Sequence, residues 1–270
     1  MTSTNTLELP GVRMRYQLRG AGAPLLLIGP PLPTSVLTPL ADALASNHTV
    51  VIHDARSISG GTLGDLEPNA TPERRADDVA ALMDALNEES ADVFGTGEGA
   101  VIGLALVTQH PGRVRTLVAH EPPLLELLPD AAARRGEVED IVETVHRDGP
   151  EVAWEKFVGS STFHVGDDGV LGGTTRYMPD LPSLTASRSR IVVGIGVASR
   201  DLTIHRTSMA LAKLLATRPV KFPGDHFGFL GRPQDFAEML RTVLAGEEGC
   251  AGGTRIRGPG CRQTIAPGKP

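Results

Sequence analysis

Few residues in this chain have the type and setting for chemistry. His226 closes the run Pro223-Gly224-Asp225-His226. An imidazole that titrates near neutral pH can take up and return a proton, so it is the first candidate for a general acid or base. Glu98 follows the glycine-dense stretch Gly95-Thr96-Gly97 and opens a helical pattern, Val101 to Leu106. A carboxylate there is favoured by the free N–H groups and the macrodipole of the helix. Turned into a pocket, it would instead activate water or abstract a proton. The imidazole of His226 would be held by Asp201 or by a nearby carbonyl. Thr96 offers a hydroxyl, but its side chain is expected to point away from the mouth of a pocket. His120 and Glu121 follow the end of an apolar run, where they are as often anchors of a strand end as reacting groups. Asp54 and Arg56 read as a pair with each other or with backbone groups, and His53 and His110 as surface or capping residues. Trp154 is the one tryptophan and is a candidate pocket wall.

These residues need elements to position them. Asp92 to Phe94 is an apolar run rich in strand formers, and it meets the glycine turn that leads into the helix ending at His110-Pro111-Gly112. Before it, Leu7 to Leu9 and Val12 to Leu18 read as a hairpin around Pro10-Gly11. Leu25 to Ile28 and Val50 to Ile52 are short, wholly apolar runs, as strands covered on both faces should be. Leu37, Leu40, Ala41 and Leu44 have helical spacing. Thr71-Pro72-Glu73 is a helix start, with a capping threonine and proline at the first helical position. Val114 to Ala119, Ile191 to Val193 and Val220 to Phe222 are further strands, and helices are expected over 204–215 and 233–244. The alternation of strand and helix predicts an α/β domain built on a mostly parallel sheet. Residues 1–123 are expected to form the first part of this core and 189–245 the second. A helical cap over 124–188 comes between them, with helices at 135–145 and 152–158, and a disordered tail covers 246–270.

The order and spacing of these motifs resemble the α/β-hydrolase family over nearly everything from Leu7 to Leu244. Strand, glycine turn and helix at 92–106 resemble its nucleophile elbow, Gly-x-Ser-x-Gly. Asp54-Ala55-Arg56 resembles its Asp-x-Arg-Gly loop, with Ser57 where glycine is usual, and His110 to Val118, Ala119 to Pro123 and Pro223 to His226 are similar to stretches of its bacterial members. The resemblance implies that Gly95 and Gly99 are the flanking glycines and that the nucleophile position holds Gly97. Glycine has no side chain to attack with. The oxyanion hole would take one N–H from Glu98. Its second donor would come from the loop at Pro30 and Pro31, and proline has no N–H, so that donor is missing unless Leu32 takes its place. The usual position of the acid, in Gly196-Val197-Ala198-Ser199, holds Ser199, with Asp201 two residues further. Pro30, Pro31, Thr96 and Trp154 are the expected pocket residues.

The resulting expectation is a protein acting on a small, largely apolar carbonyl or ester-like compound without a serine nucleophile. His226 would be the general acid or base, aided by Glu98 or Asp201, in direct water attack or in lyase, isomerase or cyclase chemistry. The alternative is a pseudo-hydrolase that binds a small molecule for sensing or partner contact.

Composition narrows the field further. The 270 residues carry a formal charge of −6 and no basic footprint, so nucleic acid and anionic membranes are not expected partners. No apolar run is long enough to span a bilayer, and the first residues lack the pattern of a secretory signal. A cytoplasmic monomer or homodimer is the expectation. Cys250 and Cys261, the two cysteines, both fall in the tail and form no metal quartet. Gly95-x-Gly97-x-Gly99 does not have the spacing of a dinucleotide fingerprint. No cofactor or metal is expected.

Overall fold

A computed structural model describes residues 2–9, 12–30, 34–54, 71–149, 152 and 174–246. Its centre is an eight-stranded sheet in the order β1-β2-β4-β3-β5-β6-β7-β8. The strands are β1 (Thr2–Leu9), β2 (Val12–Gly20), β3 (Ala23–Ile28), β4 (His48–His53), β5 (Ala91–Thr96), β6 (Val114–His120), β7 (Arg190–Gly196) and β8 (Val220–Phe222). β2 runs antiparallel to both β1 and β4, and every later pairing is parallel.

Strand alternation sends each apolar run to two faces at once. Leu26, Ile28, Val51, Val93, Leu117, Ala119 and Val193 join one buried layer. Leu25, Leu27, Val50, Ile52, Phe94, Val118 and Val192 join the other. The first layer is covered by α2 (Pro72–Ala85) and α3 (Glu98–Gln109), with Leu211 and Ala212 from α6 (Thr203–Leu214). The second is covered by α1 (Thr38–Leu44) and α8 (Pro233–Leu244), with Phe222, Phe229 and Phe236 between them and the sheet. This is why the strands lack polar alternation: neither face of the sheet centre meets water.

Between β6 and β7 the described residues form α4 (Ala131–Asp148) and α5 (Leu181–Ala186). Val138 and Ile141 of α4 pack on Leu125, Leu128 and Ile204 in a small cluster of their own. Leu184 of α5 instead belongs to the main core. The stretch assigned to a second cap helix at 152–158, Trp154 included, lies outside the described residues apart from Val152, as does the tail beyond Gly246 with both cysteines. A short turn of helix, α7 (Gly228–Gly231), links β8 to α8. Among the described residues no helix is long and apolar enough to cross a membrane.

Candidate active site

β5 ends in the middle of the sheet and turns straight into α3. Two features hold the turn. Gly97 has φ 57° and ψ −120°, a backbone conformation that strains any residue with a side chain. Its N–H donates to the carbonyl of His120 at the end of β6, 2.9 Å away. Gly99 lies against the end of β3, where an added Cβ would fall 2.0 Å from the carbonyl oxygen of Ile28. The helix therefore starts pressed onto the sheet, and its first residue, Glu98, carries an N–H with no acceptor inside the helix.

His226 reaches this turn from the loop after β8. A Cβ built on Gly97 would sit 3.2 Å from His226 Nε2 and 3.3 Å from Cε1. The other ring nitrogen, Nδ1, is hydrogen-bonded to Glu121 Oε2 at 3.0 Å. A carboxylate only accepts, so Nδ1 carries the proton and donates it. The second carboxylate oxygen, Oε1, accepts from the Gly196 N–H at 2.9 Å. Both side chains are buried, Glu121 completely. Burial alone would raise the Glu121 pKa. The hydrogen bond from His226, the charges of His120 and His226 and the Gly196 N–H outweigh burial and bring it down to about 2. Glu121 stays ionised and fixes the imidazole.

This pairing differs from the expectation. The imidazole is held by Glu121, at the end of β6, and not by Asp201, which is exposed in the turn after β7. Glu121 has φ +48°, uncommon for a residue with a side chain, and its N–H donates to the Gly194 carbonyl. The kink carries the chain out of the sheet at the residue that meets His226. Ser199 is fully buried beside Gly196, and its hydroxyl makes no hydrogen bond among the described residues.

Other expected residues are also redirected. Thr96 is fully buried beneath the turn and shares a 3.0 Å hydrogen bond with His120 Nδ1. The carboxylate of Glu98 does not face His226. It forms a buried ion pair with Arg75 in the first turn of α2. Pro30 is half-buried at the end of β3, while Pro31 and Leu32 lie outside the described residues.

Potential metal ligands of His120, Glu121 and His226 come within 4.8 Å of one another, the one such group among the described residues. Two of its members already bond to each other. The ring of His120 is enclosed by Phe236 at 5.3 Å, Phe222 at 5.5 Å and Phe94 at 6.0 Å, and burial lowers its pKa to about 4. A neutral, aromatic-caged histidine behind a carboxylate–imidazole pair fits a supported base better than a metal cage.

No family model matches the chain. It is, however, 32% identical over 268 residues to the uncharacterized hydrolase YraK of Bacillus subtilis (strain 168), covering 92% of this chain and 98% of the relative. The chain belongs to the α/β-hydrolase family. Solved α/β-hydrolases agree in fold. A thermophilic esterase from Thermogutta terrifontis superposes with a TM-score of 0.71 at 20% identity, over 92% of this chain and 99% of the esterase. Est816, described as an N-acyl homoserine lactone degrading enzyme, gives 0.64 at 23% identity, over 88% and 99%. What the sequence left open at this α/β-hydrolase site was the partner of the histidine, because Glu121 and His226 are 105 residues apart. The available signal was a carboxylate at a strand's C-terminal end, where α/β sheets gather their ligand contacts.

Proposed function

We propose that the protein hydrolyses a small, largely apolar ester or lactone by direct attack of water, with Gly97 at the family's nucleophile position. The carrying observation is the buried His226–Glu121 pair, whose Nε2 faces the turn at Gly97. A water lodged where a serine hydroxyl would stand gives its proton to Nε2 as its oxygen bonds to the substrate carbonyl carbon. Glu121 stabilises the imidazolium through Nδ1–H. The oxyanion is received by the Glu98 N–H at the start of α3, a position suited to negative charge. On collapse the carbon–oxygen bond to the leaving group breaks, and Nε2 returns the proton to the departing alkoxide, giving acid and alcohol. The hydrolases, esterase and lactone-degrading enzyme among its relatives support this class of substrate over lyase or isomerase chemistry.

The test is hydrolysis of p-nitrophenyl butyrate and an aliphatic lactone by the full chain. Turnover without a pre-steady-state burst is expected, and His226→Ala should lower it by about a hundredfold or more. The absence of a side chain at Gly97 favours a second reading, a non-catalytic binder. That reading is supported if wild type and His226→Ala release product equally slowly.

A further inference from the structure

The ion pair between Arg75 and Glu98 is not explained by the fold alone. Buried charges are costly unless paired, and this pair joins the first turn of α2 to the first residue of α3. Both side chains are almost wholly enclosed, at 5% and 7% exposure. The same region collects Asp54 and Asp78, both buried, around His53 at the end of β4. Burial lowers the His53 pKa, with Arg75 lowering it further and the two aspartates opposing. A polar cluster therefore includes Arg75, the partner of the residue that follows Gly97.

Glu98 contributes two opposite charges to one spot. Its N–H is the partial positive charge at the start of α3, and its carboxylate is a full negative charge on the same residue. In a low-dielectric site a carboxylate close to a developing oxyanion opposes it strongly. Arg75 removes that conflict, because it neutralises the carboxylate and draws it toward α2, leaving the N–H as the electrostatic face of the turn.

We propose that Arg75 is a positioning residue of the oxyanion site, acting through the carboxylate of Glu98. The inference rests on the hydrolytic reading above, in which the Glu98 N–H receives the oxyanion. It makes a demand that simple structural support does not. Loss of Arg75 should be harmful because Glu98 is left charged, so removing that charge as well should restore function.

The experiment uses full-length Gly97→Ser protein and the rate of its labelling by a fluorophosphonate. The introduced hydroxyl oxygen bonds to phosphorus, its proton passes to His226, fluoride leaves, and the phosphoryl oxygen gains negative charge in the same place during the displacement. Arg75→Met in this background should slow labelling about tenfold or more. Arg75→Met with Glu98→Gln should return to within about threefold of Glu98→Gln alone, since the neutral amide no longer opposes the oxyanion. Arg75→Lys, which keeps the charge, should retain most of the rate. Circular dichroism and thermal unfolding identify the folded variants, and the double variant keeps the test readable if Arg75→Met alone does not fold. Labelling of Arg75→Met at the parental rate would overturn the proposal, as would a folded double variant that stays about tenfold below Glu98→Gln. If the Gly97→Ser parent itself fails to label, the hydrolytic reading falls and this inference with it, an outcome distinct from labelling that ignores Arg75.

Discussion

At the scale of single residues, the site depends on how a histidine finds its carboxylate. His226 was legible as a candidate from its Pro-Gly-Asp-His run, because the loop after a final strand is a recognisable local pattern. Its partner was not. Glu121 is brought to it by strand order and by a positive φ, neither of which leaves a mark in nearby sequence, whereas Asp201 stood close to the usual place. Glu121→Gln keeps the shape but removes the charge that stabilises the imidazolium, so turnover of p-nitrophenyl butyrate should fall about ten- to a hundredfold. Asp201→Asn should stay within about twofold, since an exposed carboxylate without contact to the imidazole supplies little. Equal losses in the two variants would contradict the assignment. Glu98 is the converse case. Its place at a helix start was evident, but the cation that takes its side chain comes from another helix, 23 residues earlier in the chain.

At the scale of elements, the sequence was a good guide wherever apolar runs were bounded by turns. The strands at 25–28, 50–52, 114–119, 191–193 and 220–222 all lie within observed strands, and the final helix has the expected limits, Pro233–Leu244. The opening hairpin is longer than expected, because Thr2 to Thr6 is polar on both faces and pairs with β2 at the sheet edge without an apolar signature. α5 was not foreseen. It is six residues long, capped by the Asp180 side chain on the Ser183 N–H, and too short to show periodicity. Two substitutions test the element packing. Gly99→Ala would drive a methyl into the Ile28 carbonyl and should destabilise by about 3 kcal/mol or more, read by urea unfolding. Gly136→Ala within α4 meets nothing within 4 Å and should stabilise by about 0.5–1 kcal/mol.

At the scale of the whole molecule, the buried polar groups tie stability to pH. His120 in the unfolded chain gains its proton near 6.5, but in the folded chain only near 4. Between those values the unfolded chain holds more protons, so stability is complete above about pH 6.5 and is lost as pH falls toward 4. His48 and His53, both lowered chiefly by burial, act in the same direction. Glu121, depressed from 4.5 to about 2, extends the loss below pH 4.5. Denaturant unfolding from pH 7 to pH 4 should therefore show declining stability, by up to about 1.4 kcal/mol per pH unit for each such histidine. His120→Gln should flatten that slope, and an unchanged slope would show that His120 is not held neutral.

A working His226–Glu121 base at a turn with no side chain at Gly97 is tested most directly by intact mass after fluorophosphonate treatment of wild type and Gly97→Ser. No adduct is expected on wild type, one on Gly97→Ser, and none on Gly97→Ser with His226→Ala. An adduct on the wild-type chain would reveal a nucleophile elsewhere, and unlabelled Gly97→Ser would show that the histidine and the turn do not form a reactive site.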